Sequence, residues 1–144
     1  MNSSDASIDQ NENTQGTSKL SVLFSALVSC GFPSPADDYI ETPLDLNEKL
    51  IHKPAATYFV KAKGLSMHPT IEPNDLLVVD RSKEAVNNSI IVATIDGDFT
   101  VKRFIKRSGK AFLVPDNPVF KEVEITGRAD VSVWGVVIHT IRSF

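Results

Sequence analysis

Ser89-Ile90-Ile91-Val92-Ala93-Thr94-Ile95-Asp96-Gly97-Asp98-Phe99-Thr100-Val101-Lys102-Arg103-Phe104 consists of two β-rich runs joined by Asp96-Gly97. That dipeptide favours positive φ at both positions of a type I′ turn, so the stretch predicts a two-residue β-hairpin. The loop length fixes the register: Ile95 opposite Asp98, Ala93 opposite Thr100, Ile91 opposite Lys102. Side chains alternate between faces along a strand. Lys102 therefore shares a largely apolar face with Ala93, Ile95, Thr100 and Phe104, and Arg103 points the other way with Ile90, Val92 and Val101. Of the two adjacent cations, only Lys102 is expected to reach a site.

Upstream lies Gly64-Leu65-Ser66-Met67-His68-Pro69-Thr70. A serine hydroxyl is a weak nucleophile unless a neighbour takes its proton. A lysine does so only when burial lowers its pKa by several units. Ser66 and Lys102 together read as a nucleophile and its general base. Gly64 permits close approach of the backbone to a substrate, and the amides of Leu65 and Ser66 are candidates for an oxyanion site. His68 is not expected to act as base, because side chains two residues apart on an extended loop are poorly placed for a direct hydrogen bond. His52, His68 and His139 show no metal-ligand spacing, so no metal or other cofactor is expected. Trp134 and Phe104 are read as core or interface aromatics.

Strand signals recur at short spacing: Thr57 to Ala62, Asp75 to Asp80, the hairpin, Ala111 to Val114, Glu122 to Ile125 and Val131 to Ile141. Turns are expected at 72–75, 116–118 and 127–130. The predicted fold is mainly β, a small, strongly bent barrel or sandwich preceded by a flexible arm. A weak helical run spans Leu20 to Ser29, and Pro33 and Pro35 keep the chain extended after it.

The 144 residues are 42% hydrophobic and 23% charged, enough for one modest core. Met1 to Lys19 is rich in Ser, Asn, Gln, Asp and Thr and is expected to be a disordered tail. The expected layout is that tail (1–19), an arm (20–50) and a β domain (51–144). A net charge of −3 and a pI near 5.6 argue against gripping DNA through the chain's own basic surface. The cations Lys106, Arg107 and Lys110 are read as a solvated hairpin end. The longest apolar stretch, Leu20 to Phe32, falls short of the ~20 residues that span a bilayer. The preceding acids do not make a secretory signal, so the chain is expected in the cytoplasm with no membrane partner.

Six ordered segments carry a resemblance: Cys30-Gly31-Phe32-Pro33-Ser34-Pro35-Ala36, Ala55 to Lys61, Gly64 to Met67, Asp75 to Asp80, Phe99 to Lys102, and Trp134-Gly135-Val136-Val137-Ile138-His139. They identify the chain as resembling the LexA/UmuD family of self-cleaving serine–lysine proteases, in particular its UmuD-type accessory subunits of translesion DNA polymerases. The resemblance implies a Ser66 nucleophile, a Lys102 base and cleavage between Cys30 and Gly31. It further implies cleavage stimulated in the SOS response by a RecA–single-stranded-DNA filament, and a processed homodimer that joins a Y-family polymerase catalytic subunit. A LexA-like repressor carries a helix-turn-helix domain ahead of its protease domain, and the residues before Ser66 leave no room for one. A non-catalytic polymerase-interaction module is the other alternative. One departure stands out. Where UmuD-type relatives continue with acidic and glycine residues, this chain has His68-Pro69-Thr70, which is similar to the serine box of membrane-anchored signal peptidases.

Overall fold

A computed structural model describes residues 21–24, 27–33, 35 and 40–144. The chain divides into two compact units, residues 1–52 and 53–144. The expected disordered tail lies outside the described residues.

In the second unit the hairpin adopts the predicted register, with Ile95 opposite Asp98, Ala93 opposite Thr100 and Ile91 opposite Lys102. Asp96 and Gly97 have φ of 49° and 84°, the left-handed pair a type I′ turn requires. Counting the two strands of the first unit as β1 (Ser21–Phe24) and β2 (Glu41–Leu44), the hairpin strands are β5 (Ile90–Ile95) and β6 (Asp98–Arg107). Around them lie β3 (Thr57–Lys61), β4 (Leu76–Asp80), β7 (Lys110–Val114), β8 (Val123–Glu124) and β9 (Val131–Ile141). They form one antiparallel sheet in the order β3-β4-β9-β5-β6-β7-β8. The mainly β expectation holds, but the sheet is open: β3 and β8 are its edges and do not close a barrel.

The last strand enters the middle of the sheet. β9 pairs with β4 along its C-terminal part and with β5 along its N-terminal part, with register shifts at Val78/Val79 and Val92/Ala93. Irregularities of this kind increase the local twist and bend the sheet. Alternation along β5 then feeds two separate cores. Val92 packs with Met67, Ile71, Leu77 and Val79, whereas Ile91 and Ala93 pack with Leu113 and Val136 on the opposite face. Gly135 is a packing requirement, since a Cβ there would lie 2.6 Å from Val79 Cγ1.

The end of β9 is tied down by Asp75, which is 1% exposed. Arg142 donates to its carboxylate through Nε (2.8 Å) and Nη2 (2.7 Å), and the Thr140 hydroxyl and the Glu72 amide donate to Oδ2. The Arg142 hydrogen bond leads in holding this carboxyl well below the usual carboxylate range, against the opposing effect of burial. A depressed folded pKa contributes stability that is fully present above the unfolded value of about 4 and is lost only as pH falls through the folded value. Asp75→Ala strands part of this network. It is expected to cost about 3 kcal/mol in urea unfolding at pH 7, with the deficit shrinking in strong acid.

In the first unit, β1 and β2 pair antiparallel, Ser21 opposite Leu44 through Phe24 opposite Glu41. This corrects the helical reading of Leu20–Ser29 over its first described part. Short apolar runs such as Val22-Leu23 carry no usable period, and the partner strand decides their conformation. Residues 25–40 connect the two strands. Within that connection Cys30-Gly31-Phe32 bends: Ser29 Oγ donates to the Phe32 carbonyl at 2.6 Å and accepts the Gly31 amide at 3.3 Å. The segment is therefore not extended up to Pro33. A short helix, α1 (Leu46–Leu50), follows β2 and is capped by Asp45, whose carboxylate accepts the Asn47 and Glu48 amides.

Candidate active site

β6 and the loop after β3 build the site. Lys102 Nζ lies 3.0 Å from Ser66 Oγ. The same nitrogen donates to Thr100 Oγ1 (2.7 Å), two residues back on the same face, and to the Val101 carbonyl (3.1 Å). Lys102 is half-buried, and that burial pushes its pKa below the ordinary lysine value. Among the described residues no carboxylate pairs with it, and burial is the cause of the shift. Nζ thus faces three oxygen atoms within 3.1 Å, the Ser66 and Thr100 hydroxyls and the Val101 carbonyl.

Ser66 sits at the start of a tight loop. Gly64 has φ of 85°, and a Cβ there would meet nothing within 4 Å, so glycine is required by backbone conformation and not by space. Met67 is buried in the core and anchors the loop from below. Among the described residues, the amides of Leu65 and Ser66 donate to no other group. A cleft of about 660 Å³ opens beside the pair, walled by Val60, Ile71, Val92, Val101, Phe99 and Trp134. It runs along β3, whose outer edge has no partner strand among the described residues. Trp134 is thus a cleft wall, packed at 5.4 Å from Tyr58 and edge-on at 5.8 Å to Phe99, with Arg81 over its ring. Phe104 packs against the core on the other face.

His68 turns away from Ser66: its Nδ1 bonds Glu72 Oε1 one helical turn on, and the His68–Pro69 peptide is cis. Lys106 and Arg107 lie at the exposed hairpin end, over the Phe104 and Phe112 rings, and Arg107 pairs with Glu122.

Two parts of the site escaped the sequence reading. Arg103 does serve it, from the opposite face. Its Nε and Nη2 clasp the Asp116 carboxylate at 2.9 and 2.8 Å, and the Asp116 amide points at Met67 Sδ (3.4 Å). The Arg103 hydrogen bond holds Asp116 below the usual carboxylate range. Next to it, Asn117 donates from Nδ2 to the Leu65 carbonyl and from its backbone N–H to the Ser66 carbonyl, both at 3.0 Å. Asp116-Asn117-Pro118 signals a turn in the sequence, and nothing local reveals that this turn folds back onto residues 65–67.

A serine and a half-buried lysine in hydrogen-bond contact beside an apolar cleft define the chemistry of a serine–lysine hydrolase. Comparison with known proteins agrees. Residues 22–138 match the family model described as Peptidase S24-like. The chain is 44% identical over 122 residues to Protein ImpA of Salmonella typhimurium, covering 83% of this chain and 82% of that protein. It is 43% identical over 116 residues to Protein MucA of Escherichia coli, 79% of each. It is 34% identical over 117 residues to the LexA repressor of Ectopseudomonas mendocina (strain ymp), 80% of this chain but 57% of the repressor. The chain belongs to the S24 peptidase family. It is a self-cleaving serine endopeptidase with an accessory function in SOS mutagenesis, nearer to the ImpA and MucA type than to the repressor. No helix among the described residues is long and apolar enough to cross a membrane.

Proposed function

We propose that Ser66 is the nucleophile and Lys102 the general base of a single self-cleavage between Cys30 and Gly31. Neutral Lys102 takes the Ser66 proton, Oγ bonds to the Cys30 carbonyl carbon, and the amides of Leu65 and Ser66 receive the oxyanion. The proton passes on to the Gly31 nitrogen as the peptide bond breaks, and water then releases the acyl-enzyme. The carrying observation is the 3.0 Å contact between Lys102 Nζ and Ser66 Oγ. The edge of β3, unpaired among the described residues, supports the reading too, because extended substrates commonly add to a strand edge. The bend at Cys30-Gly31-Phe32 is not such a strand, which agrees with cleavage that stays slow until something straightens the segment.

In this proposal the promoter is a RecA–single-stranded-DNA filament. The processed form, residues 31–144, is a cytoplasmic homodimer that joins a Y-family polymerase catalytic subunit and reads no DNA sequence itself. The family relationship supports this, together with the acidic net charge. Intact-mass spectrometry of the purified chain after incubation at alkaline pH, with and without added filament, tests the scissile bond. Masses of residues 1–30 and 31–144 are expected, and any other pair of fragments refutes the assignment of Cys30–Gly31.

A further inference from the structure

The contact between base and nucleophile does not explain what holds the backbone of the serine loop. That loop belongs to no strand or helix, yet an oxyanion site works only if its amides are aimed before the reaction begins. Besides the buried Met67, one residue, Asn117, holds the two backbone carbonyls beside the nucleophile. Its Nδ2 donates to the Leu65 carbonyl, which also accepts the His68 amide at 3.1 Å, and its own N–H donates to the Ser66 carbonyl. These two carbonyls belong to the two peptide planes that flank the Ser66 Cα.

We propose that Asn117 is a positioning residue for self-cleavage, pinning both planes so that the Ser66 N–H and Oγ are aimed at the scissile carbonyl. A trans peptide unit is planar, with its C=O and N–H on opposite sides. Fixing the Leu65 carbonyl against Asn117 therefore turns the Ser66 N–H away from Asn117, and that N–H has no acceptor among the described residues. The amide orientation of Asn117 is itself set, because Oδ1 accepts the Val119 N–H at 3.1 Å and leaves Nδ2 to face Leu65. Asn117 in turn is held through Asp116, which Arg103 clasps. Neighbouring residues of β6 thus serve the two halves of one site: Lys102 touches the nucleophile, and Arg103 secures the turn that holds its backbone. Asn117 exchanges no proton and forms no bond to substrate.

This inference rests on the proposed roles of Ser66 and Lys102, and its test separates the two. Self-cleavage rate constants are measured from pH 7 to 11 for Asn117→Ala and for Asn117→Asp, which keeps the shape and the Oδ acceptor but loses the Nδ2 donor. Both variants are expected to cleave roughly ten- to a hundredfold more slowly at every pH, because an oxyanion donor is misaimed and not deleted. In Asn117→Ala, which adds no charge, the pH of half-maximal rate should not move, and the melting temperatures of both variants should stay within a few degrees. Cleavage of Asn117→Asp at the unsubstituted rate overturns the proposal. So does a displaced half-maximal pH in Asn117→Ala, which would place the effect on Lys102, or a loss confined to Asn117→Ala that follows a lowered melting temperature. Cleavage by a Ser66→Ala control would instead sink the nucleophile assignment and leave Asn117 with nothing to position.

Discussion

Ser66→Ala is expected to persist as one full-length species after alkaline incubation, under conditions in which the unsubstituted chain becomes fragments 1–30 and 31–144. Removing a serine nucleophile costs on the order of a millionfold in related chemistry, so within a day no fragment should appear. The variant should still fold. Ser66 is only half-buried and lies at the cleft, while the loop's anchorage comes from Met67 in the core and from the carbonyls of residues 65 and 66, none of which depends on the hydroxyl. Circular dichroism and melting temperature close to those of the unsubstituted chain would therefore make the loss of cleavage a chemical result. The same variant decides whether cleavage is the working event in the cell. If it supports damage-induced mutagenesis as well as the unsubstituted protein, the full-length form is an interaction module, whatever its chemistry in the tube.

How far the sequence carries toward this site depends on which contacts are local. The hairpin does not depend on the rest of the chain: Asp96-Gly97 sets the turn, the turn sets the register, and the register puts Lys102 and Thr100 on one face. Ser66 is legible as chemistry because a glycine with positive φ precedes it in a short loop. What stays hidden, the Ser66–Lys102 pair apart, are contacts closed over long sequence separation. β9 lies between β4 and β5 instead of at an edge because its long apolar run can pair on both sides, and alternation alone does not say with whom. Asn117 reads as an ordinary turn residue because its partners, Leu65 and Ser66, are brought to it only by the completed sheet. Val22-Leu23 passes equally for helix or strand until Glu41–Leu44 pairs with it.

The second large effect concerns Lys102 and has two readouts with a fixed sign. Only the neutral amine accepts the Ser66 proton, so below the Lys102 pKa the self-cleavage rate should rise about tenfold per pH unit. It should level off before the ordinary lysine value of 10.5, because burial lowers the pKa of this lysine. Lys102→Ala is expected to lose roughly a thousandfold at alkaline pH and most of the pH dependence with it. A flat profile for the unsubstituted chain would rule lysine out as the base. The second readout is stability. A lysine whose folded pKa lies below its unfolded value binds its proton more weakly in the native state, so folding bears the cost of the buried ammonium at neutral pH. That cost is relieved as pH rises through the folded pKa toward the unfolded one. Lys102→Met keeps the length of the side chain and removes the titration. Its stability relative to the unsubstituted protein should therefore be highest near pH 7 and fall by pH 10, as measured by urea unfolding at both. A difference independent of pH would mean that the native lysine titrates like a solvated one. The 3.0 Å contact with Ser66 would then be a hydrogen bond from an ammonium and not the poised base that the apolar wall of Val60, Val101 and Trp134 is proposed to maintain.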